Sequence, residues 1–562
     1  MVNLGLDMVI GNRPCSARLL VLCSRRLQGC GCDKGDPQQR KDSSMTDISR
    51  RTFIVGAAAC TAVASVAAAE PAMEGIETEV LIVGIGAAGF QAALGAAEMG
   101  AKVTAIDLAP NMLATTNTTT SGYLCVGDKL QLGQPFHFEV PEIYTLMNQL
   151  SNYCYNTQVL KALLEASSRS SNHMCDLGLV RDIEMPERCE LTGPTLGQRC
   201  GHPYAVAGQD RADAFESALL EAGVELIYGC EAKELIVEDG RAVGVHCDID
   251  GRAVDIMADA IVLCTGGFLG NEEMVAKYFA GSRIVPMGNP NCKGAGINMA
   301  LSVGAQMGKS FSLSSNEYGG ANFAASPMFS FRPGTGSNEA LRFVLLGGII
   351  VDSMGDRFIS EQIANKEAMH CAEPFIRAKT YYTVIDQDFV DYVAATPLGQ
   401  IMGDGRMKKM FAEYTAETID EDFSVAIEQG WAAKADTIAE LAAAFDLPDL
   451  EATVAQYNQY CDDGYDAQLY NDPEFMHKLQ TPPYYIVQSF PAGWLSLGGV
   501  KCDDKCHALD SDNKPIDRIF IAGADADLFC TPYIAGGSAN GFAQASGLIA
   551  GEQAAMLLGY GA

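Results

Sequence analysis

Residues 78–107 read TEVLIVGIGAAGFQAALGAAEMGAKVTAID, and the order of their parts decides the fold. The apolar run from Val80 to Val83 predicts a strand buried on both faces, residues 87–99 a helix, and residues 102–106 a second strand. Gly84, Gly86 and Gly89 fall in the turn between strand and helix. Missing side chains there let the backbone approach a pyrophosphate and let the helix N-terminus face its charge. Asp107, eighteen residues after Gly89, is placed to accept hydrogen bonds from a ribose. Strand, glycine turn, helix, strand and terminal acid together predict a dinucleotide site, without deciding between FAD and NAD.

Outward from that site, the chain of 562 residues is 48% hydrophobic and only 19% charged, which suits a large core. Its formal net charge of −31 makes it a poor partner for phosphate backbones, so nucleic acid binding is not expected. Residues 1–44 carry no helical or strand period and read as an upstream extension, with translation expected to start at Met45. Residues 45–69 read as a twin-arginine export signal. Arg50 and Arg51 precede an uncharged run of sixteen residues, 54–69, that ends in Ala67-Ala68-Ala69. That run is short for a bilayer span. The expectation is export to the periplasm or cell surface, with membrane contact only through the export machinery or an uncleaved signal. Of the nineteen cysteines none forms a Cys-x-x-Cys pair after residue 69. They read as small buried hydrophobes; no metal site is assigned, and their spacings announce no iron–sulfur cluster without deciding whether one is bound.

Residues 229–268, GCEAKELIVEDGRAVGVHCDIDGRAVDIMADAIVLCTGGF, contain three strand-like runs, a turn at Asp239-Gly240 and a Thr265-Gly266-Gly267 turn after a buried strand. With RIFIAGADAD at 518–527, this order resembles the FAD-dependent flavoprotein family of fumarate reductases and succinate dehydrogenases. Further matching pieces are NTTTSGY at 117–123, similar to the serine-glycine loop beside the flavin, GAGINMALSVGAQM at 294–307, GDRFISE at 355–361, LEATVAQYNQY at 450–460, and PPYY with LGGVKCD at 497–503. The resemblance implies an α/β fold, a Rossmann-like FAD-binding domain in two parts (75–310 and 496–562), and an inserted α+β substrate cap at 311–495. It implies non-covalent FAD held by Gly84, Gly86, Gly89, Asp107, Asn117, Ser121, Gly122, Ala232, Thr265, Gly266, Gly523, Asp525, Ser538 and Asn540. Ala524 departs from the family, which has an acid or amide there; Asp525 or Asp527 is the expected substitute. No second glycine fingerprint follows, so electrons are expected from a separate donor protein, a cytochrome or an FMN protein, or from a small reductant.

The stretch 529–542, FCTPYIAGGSANGF, bears on the substrate, because residues 519–562 contain no Lys, Arg or His. Family members that reduce fumarate hold its carboxylates with arginines and histidines, since a dianion leaving water needs paired positive charge. The arginine of this loop is absent here. The histidine position falls at Leu495, after Trp494, and the proton-delivering arginine at Asn365. Tyr533 lies four residues before Gly537, a spacing similar to that of the tyrosine and glycine that hold the substrate carbonyl in 3-ketosteroid dehydrogenases. A phenol O–H and a backbone N–H form a neutral oxyanion hole. The expected reaction is reduction of the C=C bond of a bulky apolar enone, steroid-like or polyphenol-derived. Tyr318 is the first candidate for the proton donor and Tyr123 the second, whereas Arg357 is expected to pair with Glu361 inside the cap. The alternatives are an aryl-acrylate (urocanate- or cinnamate-type) reductase, with its carboxylate clamped by Arg332, Arg342 or Arg357, a fumarate-type reductase, and a non-catalytic electron-transfer flavoprotein.

Overall fold

A computed structural model of the chain describes residues 75–118, 120–314, 317–320, 347–366, 371–397, 400, 418–528 and 533–561. The proposed extension and export signal, and Arg332 and Arg342, lie outside the described residues. Among those described, no helix is long and apolar enough to cross a membrane.

The run read as a buried strand becomes the centre of an eight-stranded sheet. Ile76–Val83 pairs in parallel with Val103–Asp107 on one side and with Arg252–Leu263 on the other. Pro515–Ile521, from the far end of the chain, adds in parallel to Arg252–Leu263, and Glu225–Tyr228 extends the opposite edge. Val80, Leu81 and Ile82 are fully buried, as parallel strands covered on both faces require. The hairpin Cys230–Glu238 and Arg241–Ile249 turns at Asp239-Gly240, where both residues have positive φ, the conformation that an Asp-Gly pair favours. The expected α/β class and two-part domain are both present: the last sheet strand and the last helix, Ser538–Leu557, return to the first β-α unit.

Helix Ala87–Glu98 packs along Ser538–Leu557 at backbone contact. A Cβ on Gly547 would lie 2.0 Å from the Ala88 carbonyl oxygen, and one on Gly551 2.0 Å from that of Ala92. Contact this close brings the N-termini of both helices to one side of the sheet, where a long cofactor can span them.

The cap has its own six-stranded sheet, ordered Glu317–Gly320, Tyr484–Gly493, Tyr381–Asp386, Ile349–Val351, with Ala432–Ala435 and Val285–Pro286 also on Tyr484–Gly493. Tyr381, Tyr485, Phe375, Phe389 and Trp431 fill its main core. The two chain crossings between domains run side by side as an antiparallel pair, Ser312–Leu313 with Ser496–Leu497. Ser314 N–H donates to the Leu495 carbonyl at 3.0 Å and Trp494 N–H to that of Ser314 at 3.2 Å.

Candidate active site

The glycine turn is built as the sequence demands. Gly84 has φ +99°, and a Cβ on Gly89 would sit 1.7 Å from the Gly84 carbonyl oxygen. Strand and helix therefore meet without room for a methyl group. At Gly86 a Cβ would meet only the Thr116 hydroxyl, at 2.7 Å, so this position faces a gap that a side chain would fill. Gly89→Ala should yield protein largely devoid of flavin, read from the flavin-to-protein absorbance ratio; full FAD occupancy would show that the turn relaxes.

Asp107 ends its strand as expected. Its Oδ2 accepts from Ile85 N–H at 2.6 Å and its Oδ1 from Ala109 N–H at 2.7 Å, which leaves lone pairs on both oxygens. Asn117 is buried and donates to the Ile85 carbonyl at 2.7 Å, so it fixes the phosphate turn from behind. Ser121 accepts through its carbonyl from Tyr204 N–H, and Gly122 opens the short strand Gly122–Leu124, whose partner is Gly201–Pro203. Ala232 lies on the hairpin opposite Cys247.

The second glycine turn is locked by Asp525. Its Oδ2 accepts from Thr265 N–H and, at 2.9 Å, from the Thr265 hydroxyl, and its Oδ1 from Gly267 N–H at 2.7 Å. Asp525 thus engages both oxygens within the protein, where burial pushes its carboxyl up against these donors. Gly266 has φ +96° beside Cys292, and Gly523 N–H donates to Ser546 Oγ. Asp527, the other proposed substitute, has its carboxyl pushed by burial to about 6.

Three features fit a flavin dinucleotide. Helices Ala87–Glu98 and Ser538–Leu557 begin at Gly86 and Gly537, neither with a side-chain cap; in the second, Gly537 and Ser538 N–H are taken by the Tyr533 hydroxyl and the Ala535 carbonyl, which leaves the rest of each first turn to an anionic or carbonyl ligand. Asn540 Nδ2 donates to the Gly122 carbonyl at 3.1 Å and to Thr120 Oγ1 at 3.3 Å, while its buried Oδ1 has no partner among the described residues. Gln544, one turn on, likewise keeps a buried unpartnered Oε1. Arg211 clamps the Thr118 and Thr120 carbonyls and stacks 4.3 Å over Tyr204. It fixes the same loop, and sequence reasoning missed it because it arises from a separate helix, Gly208–Glu221.

Tyr533 stands against Gly537, where the last helix begins. Gly537 N–H donates to the Tyr533 phenol oxygen at 3.0 Å, so the amide holds the phenol in place. Tyr533 is 5% exposed, and burial pushes its phenol up despite the Gly537 amide and the Ser314 and Ser538 hydroxyls around it. It therefore stays protonated and able to donate. Ser314, on the crossing into the cap, is a neighbour with no signal in the chain beyond its place in a serine-rich run. Ser538 donates to the Ala535 carbonyl at 2.7 Å.

The proposed proton donors separate. Tyr123 is 2% exposed, and its hydroxyl bonds to Ser171 Oγ at 2.8 Å, inside a buried network with Asp128 and His202. Tyr318 pairs through its backbone with Pro491 in the cap sheet; its side chain lies outside the described residues. Arg357 is fully engaged: Nε and Nη2 donate to Glu361 at 2.9 and 2.6 Å, and Nη2 also reaches Asp466 at 2.8 Å.

These features define a flavin-dependent oxidoreductase. The model of the FAD binding domain family matches residues 79–547; the chain belongs to that family and is a FAD-dependent oxidoreductase. It is similar to the vinyl phenol reductase of Lactiplantibacillus plantarum, at 27% identity over 80% of this chain and 90% of that protein. It is also similar to a probable fumarate reductase of Shewanella frigidimarina, at 25% identity over 85% of this chain and 75% of that protein. Among solved structures, 3-ketosteroid Δ1-dehydrogenase from Sterolibacterium denitrificans, in complex with 1,4-androstadiene-3,17-dione, shares the fold with a TM-score of 0.58 at 18% identity, covering 86% of this chain and all of that one (100%).

Proposed function

We propose that the protein reduces the C=C bond of a bulky, uncharged substrate conjugated to a carbonyl or phenol, steroid-like or polyphenol-derived. The observation that carries this reading is the buried, neutral pair of Tyr533 and Gly537 at 3.0 Å, in a C-terminal segment without any cation. FAD, when bound, supplies the hydride. As the β-carbon of an enone gains it, negative charge moves to the carbonyl oxygen, to which the Tyr533 O–H would donate while the Gly537 N–H holds the phenol oxygen from the other side. Ser314 is placed to hold the phenol's orientation. The α-carbon then takes a proton, which we assign to Tyr318; Tyr123 is disfavoured by its bond to Ser171.

The relative named for vinyl phenol supports a neutral conjugated substrate. An aryl acrylate would need a guanidinium, and Arg357 is occupied by Glu361 and Asp466. We also read the protein as exported by the twin-arginine route and supplied with electrons by a separate donor protein. The test is to photoreduce the holoprotein without air, add steroid enones, vinyl phenols, aryl acrylates and fumarate in turn, and follow the flavin absorbance. Reoxidation by enones or vinyl phenols is expected. Reoxidation by fumarate alone overturns the substrate class, and none by any compound favours an electron carrier.

A further inference from the structure

Beside strand Gly122–Leu124 a thiol, an imidazole and a carboxylate, those of Cys125, His202 and Asp128, come together, with a second thiol, Cys175, near the same carboxylate. Asp128 Oδ2 lies 2.6 Å from His202 Nε2, 3.5 Å from Cys125 Sγ and 3.8 Å from Cys175 Sγ. The Ser171 hydroxyl also donates to this oxygen. A carboxylate oxygen accepts about two hydrogen bonds, and Ser171 and His202 supply them. The thiols are thus gathered around an atom with no acceptor capacity left for them, which is hard to explain as a hydrogen-bond network alone.

We propose that Cys125, Asp128 and His202, whose ligand atoms all lie within 4.8 Å of one another, bind one divalent transition-metal ion of the zinc class, with neighbouring Cys175 closing the fourth position by a side-chain rotation. Two sulfurs, one nitrogen and one oxygen are a donor set for tetrahedral zinc. With metal–sulfur and metal–oxygen bonds of about 2.3 and 2.0 Å, tetrahedral sulfur–oxygen separations are about 3.5 Å, close to the two found here. Nε2 and Oδ2 need part by less than about 1 Å to flank an ion.

The supporting contacts are those of a metal site. His202 Nδ1 faces the Arg181 carbonyl at 3.2 Å and donates to it, a carbonyl being only an acceptor; ion entry would then take the Nε2 proton now shared with Asp128 and leave that lone pair for the metal. Asp128 Oδ1 accepts from Leu130 N–H at 3.1 Å and Gln131 N–H at 2.9 Å, which orients the carboxylate. Cys125, Asp128 and His202 are buried and Cys175 is half-buried. Burial and the Asp128 charge push both thiols up, Cys175 to about 12, so ion entry must displace one proton from each. The ion would join the loop after Leu124, helix Thr157–Asp176 and strand Gly201–Pro203. Because Leu124 N–H donates to the Gly537 carbonyl at 2.9 Å, it would brace the substrate end of the site without touching substrate.

The test uses the full holoprotein produced with zinc and purified without chelator. Mass spectrometry of the metals should find about one zinc per chain. Cobalt-exchanged protein should show the near-ultraviolet sulfur-to-cobalt charge-transfer band and strong visible bands of a tetrahedral thiolate site. Cys125→Ser and Cys175→Ser should each lose the ion while keeping FAD absorbance. Wild-type protein holding under about a tenth of an equivalent of any transition metal, or serine variants that keep a full equivalent, would overturn the site. If the variants fail to retain FAD, the wild-type metal content and cobalt spectrum decide.

Discussion

Tyr533→Phe reduces enone turnover by roughly a hundredfold or more, with FAD content and melting temperature unchanged; that is the expected result if the phenol takes up developing oxyanion charge. The ring keeps its packing, and only the O–H is lost. Each such donor is worth roughly 3 kcal/mol when preorganised in a site shielded from water, and Tyr533 meets that condition at 5% exposure. The variant also removes the acceptor of the Gly537 N–H, which then has only the substrate oxygen to serve. Binding should weaken little while single-turnover reoxidation of the reduced flavin slows, because the charge exists only in the transition state. Equal reoxidation rates for wild type and variant would remove Tyr533 from the chemistry. A large loss of FAD or of melting temperature would instead make it a packing residue of the C-terminal loop.

What the sequence revealed and what it hid follow from the range of the interactions. The glycine turn, the Asp239-Gly240 hairpin and the Thr265-Gly266-Gly267 turn were legible because backbone conformation and close approach are set by a few consecutive residues. Tyr533 and Gly537 belong to the same case, four residues apart in one loop. Asp525 was legible as a position, but its partners were not: Thr265 and Gly267 lie about 260 residues earlier. The cluster around Asp128 was invisible for the same reason. Its members come from a loop, a helix and a strand between residues 125 and 202, and no spacing rule joins them. Cysteines read one at a time as small hydrophobes gave no sign that one of them meets a histidine and a carboxylate. Half of the Arg357 pairing was predicted from its four-residue spacing to Glu361; Asp466, a further 105 positions on, was not.

That second acid decides what Arg357 does, and Arg357→Met carries the largest expected effect on stability. The guanidinium is fully buried between two buried carboxylates and lies 4.7 Å over the Tyr457 ring. Removing it leaves two anions without their cation in a dry core, a loss of about 3–5 kcal/mol, so the cap should melt well below wild type. Neutralising the acids as well, by Glu361→Gln and Asp466→Asn in the same chain, should recover much of the loss, because the penalty lies in the unpaired charges. Acid probes the same contact. Burial pushes the Asp466 carboxyl up, but Arg357 and the backbone N–H groups of Leu469 and Gln468 outweigh it and hold the carboxyl below its ordinary value. A carboxyl lowered by folding stabilises above its unfolded pKa of about 4 and loses that contribution as pH falls through its folded value. Wild-type melting should therefore drop more steeply in acid than that of the triple variant. If Arg357 instead clamped a substrate carboxylate, Arg357→Met would leave melting intact and raise KM for aryl acrylates alone. A normal melting temperature would thus revive the acrylate reading, and a collapsed one assigns Arg357 to holding the cap together.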